Sequence, residues 1–123
     1  MKKTYGTGLE GESRAAEWLR TERRMRILEQ RYRTKAGEID LIALDGETIV
    51  FVEVKTRLHA GAGEGAMAVN RQKQKRIANA SAVYLLKNGW MNHEVRYDII
   101  EINMEGILYI PNAFQPGSGL FYG

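Results

Sequence analysis

Gly37 to Lys55 reads GEIDLIALDGETIVFVEVK, two apolar runs, Leu41 to Leu44 and Ile49 to Val52, with charged residues at both outer ends. The runs suit buried strands. Asp45 and Gly46 between them form the strongest short hairpin signal in the chain, so the runs pair antiparallel. That pairing brings Glu38 and Asp40 beside Glu53 and Lys55. Because side chains alternate along a strand, Glu38 and Asp40 share one face of the first strand, and Glu53 and Lys55 share one face of the second. Two registers are open. If Asp45 and Gly46 alone make the turn, Glu38 lies opposite Glu53 and Asp40 opposite Phe51. If the turn runs from Asp45 to Thr48, Asp40 lies opposite Glu53 and Glu38 opposite Lys55. Either register predicts all four charged groups on one side of the sheet. Opposed Cβ atoms stand roughly 4.5–5.5 Å apart, close enough for two carboxylates to share one ion. Without an ion they would repel each other and lose hydration.

The rest of the composition narrows the chemistry. The 123 residues, 44% hydrophobic and 27% charged, suit one ordinary soluble domain. The core is expected over about residues 8–114, with a flexible tail at 115–123. Cysteine is absent, which excludes disulfides, thiolate zinc sites and cysteine nucleophiles. No apolar run is long enough for a signal peptide or a membrane span, so the cytoplasm is the expected compartment, with no membrane partner. Net charge is +3, unevenly spread. Lys55 to Arg76 holds six basic residues against one acidic, whereas Asn88 to Gly123 holds one basic against four acidic. The basic tract follows the carboxylate hairpin directly, and a polyanion is the partner it suggests.

A helix is expected from about Glu10 to Arg23. Leu9, Glu12, Ala16 and Leu19 fall at helical spacing, so Glu12 lies on the apolar stripe. A first-turn position favouring the helix dipole would also account for it. Met25 to Tyr32 reads as a strand followed by a polar turn, and Arg31 and Arg33 flank the entrance to the site. Solvent exposure is the commoner fate of any single arginine. Arg57 to Ala68, with Gly61, Gly63 and Gly65, lacks the spacing of a phosphate-binding loop and reads as a flexible connection. His59 reads as an exposed loop residue. Val69 to Lys87 is the clearest helix, with Ile77, Ala80, Val83, Tyr84 and Leu85 or Leu86 on its apolar side. Its first two turns carry Arg71, Lys73, Lys75 and Arg76, where positive charge opposes the dipole unless phosphates face it. Gly89 ends it. Val95 to Ile102 and Ile107 to Ile110 read as two more strands, with Asp98 and Glu101 at surface or edge positions.

Asp40 and Glu53, with the carbonyl of Val54, make the oxygen-rich partial shell that Mg²⁺ or Mn²⁺ accepts. Zinc is disfavoured, because His59 and His93 have no ligand spacing. Lys55 would orient or deprotonate water, or stabilise developing negative charge. Glu12 would bind a second ion or hold a metal-bound water. A cross-strand ion pair also produces a lone ExK. Asp40 on a paired strand, Glu12 on an inward helix face and a following basic helix raise the pattern above that.

Several segments carry a resemblance. They are Gly8, Gly11 and Glu12 with Ala15, Ile27 and Leu28, Tyr32 and Arg33, GEIDLIA at Gly37 to Ala43, and FVEVKTR at Phe51 to Arg57. Val69, Lys73 and Gln74, Tyr84 and Leu85, RYDII at Arg96 to Ile100, and Asn112 to Phe114 complete the set. Together they closely resemble the bacterial YraN family, over about Gly8 to Phe114. That family belongs to the restriction endonuclease-like PD-(D/E)XK superfamily and is similar to archaeal Holliday junction resolvases. The resemblance implies an α/β/α sandwich with a mixed central sheet and a metal-dependent nuclease. Asp40, Glu53 and Lys55 match its catalytic positions, Glu12 its helix carboxylate, and Lys73 and Gln74 a motif on the helix after the site. The family commonly has asparagine where this chain has Arg31.

The expectation is therefore a Mg²⁺- or Mn²⁺-dependent endonuclease acting on nucleic acid, with DNA, branched or single-stranded, as the leading substrate in repair or recombination. Glu12, Asp40, Glu53 and Lys55 are its catalytic set, the three acids its metal ligands, and Arg57, Arg71, Lys73, Gln74, Lys75 and Arg76 its nucleic-acid contacts. Symmetric junction cleavage would call for a homodimer. Two rivals are a non-catalytic nucleic-acid-binding module on the same fold and an interaction protein using the apolar tail.

Overall fold

The structure is a computed structural model that describes residues 6–57 and 69–116. A helix, α1 (Gly6–Glu22), leads into three strands, β1 (Arg26–Thr34), β2 (Gly37–Asp45) and β3 (Thr48–Arg57). A second helix, α2 (Arg71–Asn88), crosses to β4 (Val95–Asn103), and β5 (Gly106–Ile110) closes the order. The five strands form one mixed sheet in the order β1-β2-β3-β4-β5, with β3 and β4 parallel and every other pair antiparallel. The parallel pair follows from the length of the α2 connection, since parallel neighbours need a crossover and hairpin neighbours do not. This is a mixed α/β fold, as expected.

Each face of the sheet is covered by one helix. Ala15, Ala16 and Leu19 of α1 pack on Leu41, Ala43, Val50, Val52, Ile100 and Ile102. Ile77, Ala80, Tyr84 and Leu85 of α2 pack on Ile39, Ile42, Ile49, Phe51 and Ile99. β3 is apolar on both faces because both helices use it, and each such side chain contributes roughly 1.5–3 kcal/mol on full burial. Tyr84 anchors the α2 layer, with edge-on contacts to Tyr32, Phe51 and Trp90. Asn70 caps the start of α2, its side chain accepting from Lys73 N–H at 2.8 Å, and Gly89 closes its end.

Two glycines set the helices down close to one end of the sheet. A Cβ on Gly37 would meet the Arg76 carbonyl oxygen at 2.2 Å, so the start of β2 lies against the α2 backbone. A Cβ on Gly11 would meet Thr56 Oγ1 at 2.6 Å, so α1 passes tightly over the end of β3. Larger residues at either position would lift a helix off the region where the charged residues gather.

Several expectations are corrected. The first helix begins at Gly6, so Glu12 lies beyond its first turn, where the dipole argument has lost its force. Leu9 is 53% exposed and takes no part in the apolar stripe. Leu85, not Leu86, faces the core, with Leu86 70% exposed. Asp98 and Glu101 are both 0% exposed rather than at the surface. They lie in β4, the neighbour of β3, and are buried with partners, as charge in a core requires. Phe114, by contrast, packs against Tyr97 at 5.6 Å between ring centres, within the expected core. The glycine-rich segment at 58–68, with His59, and residues 117–123 lie outside the described residues.

Candidate active site

The register of the hairpin decides which charges meet. β2 and β3 pair from Asp45↔Thr48 to Leu41↔Val52, so the turn spans Asp45 to Thr48. Continuing that register would set Asp40 against Glu53 and Glu38 against Lys55. The backbone ladder stops one step short. Instead, Asp40 Oδ2 accepts the Val54 N–H at 2.8 Å, a side-chain oxygen standing where a carbonyl stands further up.

The pleat breaks at the same place. Strict alternation would put Ile39 and Leu41 on one face, yet Ile39 packs in the α2 layer and Leu41 in the α1 layer. Asp40 is the residue between them. The expectation that all four charges share one face is corrected accordingly, and the site straddles the sheet. Glu12, on the α1 side, hydrogen-bonds Asp40. Lys73, from α2, places Nζ 3.1 Å from Glu53 Oε2. Helices on opposite faces can reach one cluster only because the sheet opens between β2 and β3 here.

Edge strand β1 adds two cations. Arg33 Nε stands 3.1 Å from Glu38 Oε1, as the Arg33↔Glu38 pairing dictates. Arg31 falls opposite Asp40, between the pairs Gln30↔Leu41 and Tyr32↔Ile39. Its φ is 55°, the left-handed region, which costs an arginine roughly 1–2 kcal/mol. Its Nη1 lies 3.4 Å from Glu12 Oε1. With Arg31 37% and Glu12 13% exposed and 3.4 Å between them, the pair contributes on the order of 1 kcal/mol, no more than the strain it accompanies. Arg31, Arg33, Glu12, Glu38 and Asp40 line a small cleft open to solvent.

Crowding of like charge shows in the protonation. Burial raises the Glu12 carboxyl to about 7, and Asp40 adds to the rise while Arg31 opposes it. Burial and the Asp40 charge likewise push Glu53 up to about 7 against the pull of Lys73 and Lys55. Asp40 is raised by burial, with the Val54 hydrogen bond and Lys73 working the other way. Lys55 is lowered, first by burial and then by Arg57. Burial pulls Lys73 down as well, but the carboxylates of Glu53, Asp40 and Glu38 outweigh it, and the net shift is upward. A divalent cation between the acids would remove the repulsion and supply the missing ligands for their oxygens. The donor set is all oxygen, which fits Mg²⁺ or Mn²⁺. Among the described residues, no three histidine, cysteine, aspartate or glutamate side chains already stand in a metal-holding group, so a bound ion would have to draw them together.

Comparison with known proteins follows the same residues. Positions 11–102, from Gly11 in α1 to the last but one residue of β4, match the Uncharacterised protein family UPF0102. The chain belongs to this family. It is the YraN family of the resemblance. A UPF0102 protein of Geobacter metallireducens is 43% identical over 112 residues, covering 88% of this chain and 91% of that one. One from Pseudomonas putida is 42% identical over 114 residues, covering 88% and 92%. One from Syntrophus aciditrophicus is 42% identical over 123 residues, covering 97% and 96%.

The cluster in this UPF0102 chain brings Glu12, Asp40, Glu53 and Lys73 together, with Lys55 on the strand end beside them. Of the expected nucleic-acid contacts, Arg71, Lys75 and Arg76 are exposed on the first turns of α2. Gln74 instead ties down the approach to the helix, its Nε2 donating to the Val69 carbonyl at 2.6 Å. Arg57 turns inward, its Nε 3.5 Å from the buried Glu101 Oε1, whose other oxygen accepts from Asn103 Nδ2 at 2.8 Å. Sequence reasoning missed the place of Glu101. Its signal was the parallel pairing of β3 with β4, which sets Lys55 directly against it. The Lys73–Glu53 and Arg31–Glu12 pairs were missed too, since nothing in local spacing links a helix to a strand edge.

Proposed function

We propose that this chain is a Mg²⁺- or Mn²⁺-dependent nuclease of the restriction endonuclease-like kind, hydrolysing phosphodiester bonds in nucleic acid, with DNA as the leading substrate. The observation that carries it is Asp40 at a break in the sheet, with Glu12 near it from α1 and Glu53 near it from β3, and Lys55 and Lys73 beside Glu53. The order α1-β1-β2-β3-α2-β4, and the match of Asp40, Glu53, Lys55 and Glu12 to the positions named by the resemblance, support the same reading. Asp40 and Glu53 would hold the ion. The carbonyl of Val54 would join them, since an extended residue aims its N–H and C=O to the same side. Bound there, the ion would polarise a phosphoryl oxygen and acidify water.

The chain's own residues do the rest. Water oxygen attacks phosphorus in line as its proton passes to a base, the P–O bond to the leaving oxygen breaks, and that oxygen takes up a proton. Lys55, its pKa lowered by burial, is suited to orient the water and move its proton. Glu12 holds the far side of Asp40. Lys73 neutralises Glu53 and would turn to the phosphate of a bound substrate. Cleaving a symmetric junction would take two copies as a C2 dimer. Among the described residues no helix is long and apolar enough to cross a membrane, which suits action on nucleic acid in the cytoplasm.

The test is a panel of duplex, flapped, four-way-junction and single-stranded DNA and RNA with either metal. Cleavage by the wild-type protein is expected, abolished by Asp40→Asn and reduced about 10²–10⁴-fold by Lys55→Met. No cutting of any substrate with either metal would sink the reading. A second reading, a binding module without turnover, draws support from Lys73, which already supplies Glu53 with a counter-charge. Salt-sensitive binding unaffected by Asp40→Asn and Glu53→Gln, without cleavage, would favour it.

A further inference from the structure

A second basic tract lies on the other side of the cleft. Residues 20–35 contain seven basic side chains (Arg20, Arg23, Arg24, Arg26, Arg31, Arg33 and Lys35) against two acidic ones, Glu22 and Glu29, a net of +5. All seven are exposed, and four lie on β1 or directly after it, at the sheet edge beside the carboxylates. Within the tract only Arg31 and Arg33 line the cleft, together with Glu12, Glu38 and Asp40. The α2 tract, Arg71, Lys73, Lys75 and Arg76, stands on the opposite face of the sheet from α1. The carboxylates therefore meet cations from two sides, Arg31 and Arg33 from β1 at Glu12 and Glu38, and Lys73 from α2 at Glu53.

Arg31 singles out this wall. It holds a left-handed backbone inside a strand, opposite Asp40, with a 3.4 Å ion pair to Glu12 whose arginine end is open to solvent. That conformation brings a fork of donors to the mouth of the cleft, the geometry that binds phosphate two-pronged.

We infer that Arg31 and Arg33 form a second phosphate-contacting wall, gripping the nucleic-acid backbone on the β1 side while the first turns of α2 grip it on the other. The inference rests on the nucleic-acid reading above but not on turnover. The backbone that reaches Asp40 and Glu53 passes between two rows of cations, and the arginines exchange Glu12 and Glu38 for phosphate oxygens as it enters.

The experiment measures binding of fluorescein-labelled duplex and flapped DNA to the full chain in EDTA, where no cleavage occurs, from 50 to 200 mM salt. The double variant Arg31→Asn, Arg33→Gln is expected to bind at least tenfold more weakly, with a log–log salt slope shallower by about two. Asparagine accepts the left-handed backbone, so folding survives, which a melting curve verifies. Arg20→Gln with Lys87→Gln removes the same charge away from the cleft and is expected to leave the slope near the wild-type value. An unchanged affinity and slope in the Arg31/Arg33 variant, with wild-type binding intact, overturns the second wall alone. Equal weakening by both double variants also overturns it, in favour of general charge. Wild-type protein that binds no nucleic acid, or binds an acidic polypeptide such as polyglutamate as tightly, overturns the wall together with the nucleic-acid reading.

Discussion

The network that runs inward from the hairpin turn and the one at the open end of β2 and β3 both bury carboxylates, and they treat them in opposite ways. At the closed end, the network runs from Asp45 in to Asp98, opposite Val52, and Asp98 is saturated. It accepts from Arg96 through Nε and Nη2 at 3.0–3.3 Å, from the Tyr109 hydroxyl and from the Asn112 N–H at 2.8 Å. Arg96 also reaches Asp45 at the hairpin turn, which locks β2, β4 and β5 together. At the open end, Asp40 has one backbone donor and the Glu12 carboxyl beside it, and Glu53 has Lys73. A fully supplied buried charge holds a fold, whereas acids crowded together and short of donors keep capacity for something that arrives later.

The largest expected contrast is in stability. Removing one partner from a buried, satisfied charge network costs about 3–5 kcal/mol, so Asp98→Ala should destabilise the chain by that amount in urea unfolding. Asp40→Asn should leave stability unchanged or slightly higher, because it removes a repelling charge. Comparable losses from both would erase the distinction between the two ends.

Protonation sharpens it further. Folded Glu12 and Glu53 hold their protons up to about 7, against an ordinary value of 4.5. The folded state thus binds more protons than the unfolded state across that window. Their contribution to stability is therefore greatest below about 4.5 and is lost as pH rises through about 7. In a melting series from pH 4.5 to 8, the wild-type chain should lose ground relative to the double variant Glu12→Gln, Glu53→Gln. A constant difference between the two would contradict the crowding.

The smallest effect concerns the cleft mouth. Arg31→Asn trades roughly 1–2 kcal/mol of left-handed strain against an ion pair of about 0–1, so a gain of up to about 1 kcal/mol is expected in the same unfolding assay. A loss would mean that the Arg31–Glu12 pair holds the structure rather than waiting for a ligand.

The difference between the ends also explains what the sequence could reveal. The hairpin and both helices were legible because alternation, turn residues and helical periodicity are local signals, whereas the mixed sheet came only from the family resemblance. One of the two open registers of the hairpin proved right, and with it the approach of Asp40 to Glu53. What local spacing did not contain was the interruption of the pleat at Asp40, where α1 comes down on β3 through Gly11 and α2 comes down on β2 at Gly37, from opposite sides. The same holds for Asp98 and Glu101. A charge within an apolar strand looks like an edge position until its partners, tens of residues away, fold around it.

The most direct test of the open end is calorimetric titration of Mn²⁺ into the metal-free chain at pH 8, where Glu12 and Glu53 are largely ionised. Saturable binding is expected in the wild-type protein, lost in Asp40→Asn and Glu53→Gln and kept in Asp98→Asn if that variant folds. Absence of binding, or binding that survives loss of Asp40 and Glu53, would contradict the reading of these carboxylates as a metal site.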